Sequence, residues 1–351
     1  MNSEEKVSPL VLTDIPRVTP DSAPVDRSAR VSLWRSIPKL NLFLFLATVL
    51  TTTMAGAYLA GSEEPLSSLS ELAKGLTFSA PLMAILLCHE FGHYLAARYH
   101  RVSTSLPYFI PVPFPSLFMI GTFGAFIRMK APPQSRRAMF DVGAAGPWAG
   151  MVPAIIAVYV GLKLSQVTPL DKSVGGLELG DSILFSYLTR RFLGVDPDTV
   201  MINLHPIAFA GWLGLFITSL NLLPVGQLDG GHVVYALFGR FHAWISRLFV
   251  ALCLLSVLVG HLFHLPHWDG WLMWGILLLF LGMGHPRALD ETTPLDPVRR
   301  LMAWATIGLF IITLSPVPFS ISEPSMPTSP SEQTYDIVAH VPSKPLPSIR
   351  L

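Results

Sequence analysis

The stretch LLCHEFGHYLAA, Leu86–Ala97, sets two histidines and a glutamate inside an apolar run. A helix through that run stacks His89 and His93 on one face, because positions i and i+4 lie one turn apart. Two imidazole nitrogens at that separation can share one zinc ion. Glu90 points about 100° round the helix from His89 by the 3.6-residue period. Its carboxylate therefore reaches a water beside the metal rather than the metal itself. Gly92 leaves little bulk between the ligands. This is the H-E-x-x-H arrangement, in which the ion acidifies a water to a pKa of about 7 and the glutamate accepts the proton.

The surroundings of that stretch are a bilayer-type sequence. Of 351 residues, 51% are hydrophobic and only 13% charged, against about 25% charged in soluble domains. The mean hydropathy is +0.51. These values indicate an all-α polytopic membrane protein rather than a soluble domain with one anchor. A net charge of +1 carries no nucleic-acid footprint. The two cysteines, Cys88 and Cys253, both sit in apolar runs and imply no disulfide framework. Cys88, although next to His89, reads as a small core residue. Ionisable groups within a membrane helix are expensive without a partner, so the depth of His89, Glu90 and His93 favours a shared ion over a chance match.

The pattern predicts six to seven transmembrane helices: Leu40–Ala60, Gly75–Ala97, Phe140–Leu164, His205–Leu223, Ile245–Phe263, Gly270–Gly284 and Leu301–Pro318. The first apolar run, from near Lys39, is long enough to span and is expected to be a membrane helix rather than a secretory signal peptide. After the second, Ser103–Met129 is apolar but carries Pro107, Pro111, Pro113, Pro115, Gly121 and Gly124. Such breakers suit a re-entrant loop or β-hairpin buried against protein, not a lipid-facing helix. Ser165–Leu204 reads as a polar connection with an interfacial helix near Ser182–Leu193. Residues 1–38 and 319–351 are rich in Pro and Ser and read as disordered tails flanking a membrane domain over 39–318.

Basic residues set the expected orientation. Arg27, Arg30, Arg35 and Lys39 precede the first span; Arg98, Arg101, Arg128, Lys130, Arg136 and Arg137 follow the second. Arg240, Arg247, Arg287, Arg299 and Arg300 fall on the same side if the N-terminus is cytosolic, whereas Arg190 and Arg191 do not. His89 and His93 then occupy the cytosolic half of their helix. Trp268, Trp271 and Trp274 read as interface anchors, and His261, His264 and His267 as an interfacial cluster on the outward side. The spacing Gly146-x-x-x-Gly150, with Ala210-x-x-x-Gly214, reads as close helix packing.

Catalytic zinc takes three protein ligands, so the two histidines need a third. NLLPVGQLDGGH, Asn221–His232, supplies the best candidate in Asp229, an acid at the end of an apolar span between a proline break and a Gly-Gly pair. The rivals are His232, His205 and Asp141; Asp141 opens the third span and could cap it.

Together these residues resemble the site-2 protease family (peptidase M50) of intramembrane zinc metalloproteases. The family's H-E-x-x-H stands at His89–His93, and its N-x-x-P-x-x-x-x-D-G at Asn221, Pro224, Asp229 and Gly230. The resemblance covers roughly Leu76–Gly239. It implies that His89, His93 and Asp229 hold one Zn2+ and that Glu90 is the general base. Asn221 would orient the scissile peptide or its oxyanion. Many bacterial members insert a PDZ domain, but Ser165–Leu204 is too short for one, so the chain resembles the PDZ-less branch. The implied activity is hydrolysis of peptide bonds in or near a transmembrane helix of a membrane-protein substrate within the lipid bilayer. A non-proteolytic zinc-binding scaffold or chaperone is the alternative. A metal transporter would show repeats and a path of ligands, which this sequence lacks. A substrate helix must unwind to be cut, and the strand-forming residues of Ser116–Met129 could pair with it as an edge.

Overall fold

The computed structural model describes residues 38–114, 119–131, 133–170, 176–282, 284, 288–290, 292–322 and 349–350. Residues 1–37, 323–348 and 351 of the expected tails lie outside these, as do Pro115, residues 116–118 and Arg287.

The described chain is mostly helical. Helix α1 (Lys39–Leu59) opens it. Its threonines do not leave polar groups facing lipid, because Thr48, Thr52 and Thr53 donate their hydroxyls to carbonyls one turn back. Thr52 also pairs with Ser79 at 2.7 Å, pinning α1 to the helix that carries His89. A short α2 (Leu69–Lys74), capped by Ser68, leads into α3 (Leu76–Tyr99). At 24 residues α3 spans about 36 Å.

Three helices form the core: α3, α4 (Arg136–Leu164) and α6 (Pro206–Asn221). Phe78, Leu82 and Ile85 of α3, Ala154 and Val158 of α4, and Phe209 and Leu213 of α6 are buried together. Phe78 stacks on Phe209 with ring centroids 5.6 Å apart. Gly211 brings the α6 backbone close to Val158 of α4, the small-residue approach expected where lipid gives no hydrophobic drive. Asp141, expected to open its span, instead lies within α4. The helix starts at Arg136, where Ser135 caps it by accepting from the Ala138 N–H.

The breaker-rich segment after α3 is an antiparallel hairpin, β1 (Tyr108–Pro111) with β2 (Thr122–Phe126), extended by a Thr104–Met129 bridge. It rests on α1. Asn41 donates to the Pro107 carbonyl at 2.8 Å, and Gly121, with φ of +74°, lets the strand press on the Thr51 carbonyl.

Beyond α4 the structure adds strands that the sequence reading did not anticipate, three within Ser165–Leu204, read as a polar connection, and two within 319–351, read as a disordered tail. Strands β3 (Gln166–Pro169), β4 (Gly176–Leu179), β5 (Val200–Asn203), β6 (Phe319–Ser322) and β7 (Ile349–Arg350) form one mixed sheet in the order β3-β5-β7-β4-β6. Each is four residues or fewer, too short for alternation to register, and β6 lies far from its partner β4 in sequence. Helix α5 (Ile183–Leu193) stands where an interfacial helix was expected, capped by Ser182 and closed by a left-handed Gly194.

Helix α7 (Asp229–Phe238) leads through a 3-10 turn into α8 (His242–Phe263), followed by α9 (Gly270–Leu281) and α10 (Pro297–Thr313). Among the described residues, three runs are long and apolar enough to cross a membrane: Lys39–Leu59, Arg136–Leu164 and Asp229–Phe263. At 12 residues α9 is shorter than the span expected there. Helix α10 is tied to α4 by Arg299, which clasps Asp141 through Nε and Nη2 at 2.7–3.0 Å. Asp296 caps α10, and its bonds from the Arg299 N–H and guanidinium hold its carboxyl down at about 2. That contribution is complete above the usual carboxylate range and is lost only as pH falls toward 2.

Candidate metal centre

His89 and His93 are buried on the face of α3 that meets α4, and their Nε2 atoms lie 3.0 Å apart. Asp229 reaches both, with Oδ2 at 3.2 Å from each Nε2. The local fold explains how an acid so far along the chain arrives there. Helix α6 ends at Asn221, and the Leu222–Leu228 loop turns the chain through a left-handed Gly226 (φ +55°). Helix α7 then starts at Asp229 itself. Gly230 and Gly231 have no room for a side chain, because the carbonyls of Leu222 and Gly226 press against them. The Gly-Gly pair thus lets the reversing loop lie on the first turn of α7 and aims Asp229 at the histidines.

This donor set fits a divalent ion. A tetrahedral zinc site with bonds of about 2.0–2.2 Å places its ligand atoms about 3.3 Å apart, close to the observed 3.0–3.2 Å edges. The His93 Nδ1–H donates to the Val142 carbonyl at 2.7 Å. A carbonyl can only accept, so this bond fixes the tautomer and leaves the Nε2 lone pair turned toward Asp229 and His89. Glu90 is buried at 4% exposure, and its Oε2 has no hydrogen-bond partner. A buried carboxylate oxygen without a partner is costly, and this one borders a cavity of about 360 Å³ shared with the three candidate ligands. Ala125, Phe126 and Met129 of the hairpin form its other wall, and Asn221 and His232 line it too. The Asn221 amide nitrogen lies 3.2 Å from His89 Nε2, although the two residues are 132 positions apart.

The rivals for the third ligand lie elsewhere or one step removed. Asp141 is occupied by Arg299 and by His100, whose Nε2 is 2.7 Å away. His205 caps the start of α6 by accepting from the Ile207 N–H, about 24 Å along that helix from Asn221. His232 is buried one turn after Asp229 but outside the converging group. Replacing Asp229 by Ala should remove bound zinc, measured as metal content of the purified chain. Asp141→Ala should keep it and instead loosen α10 from α4. Zinc retained by the first variant would exclude Asp229 as a ligand.

One part of the site was read only as packing. Gly143, Gly146 and Gly150 form a stripe on α4 facing His232, His93 and His89 in turn. A methyl at Gly146 would overlap the His93 imidazole, and one at Gly150 would sit 3.1 Å from the His89 Cβ. The G-x-x-x-G spacing signalled close approach; that the approaching groups are the imidazoles follows only from the α3–α4 register.

A helical scaffold with apolar spans and a buried, convergent His-His-Asp group defines the class of membrane-embedded metal centres. The profile of Peptidase family M50 matches residues 77–262, and the chain belongs to that family. It is 32% identical over 241 residues to "Probable zinc metalloprotease EGY1, chloroplastic" of Arabidopsis thaliana, covering 67% of this chain and 42% of that protein. With the EGY1 protein of Oryza sativa subsp. japonica it shares 34% over 243 residues, 67% of this chain and 40% of the relative. With "Probable zinc metalloprotease EGY2, chloroplastic" of Arabidopsis thaliana it shares 29% over 264 residues, 73% and 44% respectively. The chain thus spans about two fifths of the length of these curated relatives. No solved structure matches it.

Proposed function

We propose that this chain is an intramembrane zinc metalloendopeptidase that hydrolyses peptide bonds in or near transmembrane helices of membrane-protein substrates. The observation that carries the reading is the convergence of His89, His93 and Asp229 beside the unpartnered, buried Glu90 carboxylate in one cavity. Bound by His89, His93 and Asp229, a zinc ion would supply Lewis acidity to a water and to the scissile carbonyl. Glu90 Oε2 takes the proton of the attacking water and passes it to the leaving amine. The Asn221 amide, beside His89, donates to the substrate carbonyl as its oxygen gains charge. The carbonyl of Val142 keeps His93 in its ligating tautomer throughout.

The reading extends to the membrane. Six or seven helices enter the bilayer, α9 being the short one, and the hairpin re-enters beside α1. Arg98, Arg101, Arg128, Lys130, Arg136 and Arg137 gather at the end that holds the metal centre, which favours a cytosolic site and a cytosolic N-terminus. Residues 39–318 form the membrane domain. The hairpin wall of the cavity, Ala125–Met129, offers its edge to an unwound substrate strand. Ala125→Pro is expected to lower turnover while zinc content holds, and unchanged turnover would remove the edge-pairing role. Thr122 is a poorer probe, because its hydroxyl donates to Ile110 inside the hairpin. The central test is cleavage of a model transmembrane substrate by the purified chain. Chelation should stop it and added Zn2+ restore it; cleavage indifferent to chelation would overturn the proposal.

A further inference from the structure

A second group of metal-type donors stands at the turn between α8 and α9. His261 Nε2 lies 2.8 Å from Asp269 Oδ1, and His267 Nε2 lies 3.4 Å from the same oxygen. All three donor atoms fall within 4.8 Å of one another. The two rings meet edge to face with centroids 4.2 Å apart. The turn is built to bring them together. Helix α8 ends at a left-handed His264 (φ 53°), whose N–H and that of Leu265 both return to the Gly260 carbonyl. The chain then doubles back so that the His267 ring lies against Gly260, where any side chain would overlap it.

His267 is also prepared as a ligand. Its Nδ1–H donates to the Leu265 carbonyl at 2.8 Å, which leaves the Nε2 lone pair directed at Asp269 and His261. This is the backbone support that metal-binding histidines commonly receive, and the same device holds His93 against Val142. Only His267 is largely covered; His261 and Asp269 are 63% and 71% exposed, so solvent can complete the coordination. Helix α8 rises about 33 Å from its start beside α7. Trp268 packs toward Phe319 of β6, so the group sits at the sheet end of the bundle, away from Asp229.

We propose that His261, His267 and Asp269 form a second, solvent-facing site for a borderline divalent cation of the Zn2+, Ni2+ or Cu2+ type. Two imidazoles and one carboxylate favour these ions over Mg2+ or Ca2+, which prefer oxygen ligands. A bound ion would staple the end of α8 to the start of α9.

The test is zinc titration of the full chain in detergent micelles, stripped of metal beforehand, with helix content and elution profile as folding checks. In a His93→Ala background, which disables the buried centre, the protein should still bind one Zn2+. Adding Asp269→Asn should weaken that binding at least about tenfold, and adding His267→Ala should abolish it. Failure of the His93→Ala protein to bind zinc, or binding untouched by the Asp269 and His267 changes, would overturn the proposal. A second measurement uses the unmutated chain. Zn2+ should protect His261 and His267 from carbethoxylation by diethyl pyrocarbonate, read by mass spectrometry. Equal modification with and without Zn2+ would also overturn it.

Discussion

Glu90→Gln is expected to lower turnover by about 10²–10⁴-fold, the usual contribution of a positioned general base, while zinc content stays that of the wild type. The side chains are nearly isosteric, and Glu90 is not within the converging ligand group. The substitution therefore removes only the ability to take a proton. The buried position makes the contrast sharp: Oε2 has no other partner whose loss could disturb folding. The assay is single-substrate kinetics on a model transmembrane peptide beside metal analysis of the same preparation. Full activity in the variant would place the proton acceptor elsewhere. Loss of zinc together with activity would mean that Glu90 holds the site together.

Gly146→Ala should be almost as damaging, by a different route. The added methyl occupies the volume of the His93 ring, and that ring cannot yield freely because its Nδ1–H is bonded to the Val142 carbonyl in the same helix. Zinc affinity and turnover should both fall about 10–100-fold, as when supporting groups around metal ligands are altered. Two glycines calibrate the effect. Gly150→Ala meets the His89 Cβ at 3.1 Å, and Gly308→Ala on α10 meets nothing within 4 Å. The expected order of zinc loss is Gly146, then Gly150, with Gly308 unchanged. Equal tolerance at all three, measured by competition with a zinc chelator, would show that α4 does not wedge the ligands in place.

These two experiments divide along the line between local and distant information. The H-E-x-x-H face of α3 was readable because helical period alone stacks His89 over His93 and swings Glu90 aside. The break at Pro224–Gly231 marked Asp229 for the same kind of reason: Pro, Gly and an acid stand where a membrane helix should continue. The hairpin was legible as a set of breakers that no lipid-facing helix could hold. Other features carried no local signature. Strands β3 to β7 are too short to show alternation, and they gain order from partners far away in the chain. Asp141 looked like a cap because its pairing with Arg299, 158 residues later, is invisible in its neighbourhood. His261, His264 and His267 read as an interfacial cluster; that the left-handed turn at His264 brings Asp269 to His261 and His267 shows only in the structure.

Residue order alone carried the membrane class, the two-histidine face, the glutamate set beside it and the broken helix that bears an acid, because each depends on dihedral preference and on neighbours a turn or two away. Folding in three dimensions brought Asp229, and not Asp141, His205 or His232, within reach of both histidines, set the glycines of α4 against the imidazoles, and lined the cavity with the hairpin. Those outcomes depend on which helix faces meet and how far the reversing loop carries α7. That geometry is fixed by packing among α3, α4, α6 and α7 as a group, and no single segment encodes it.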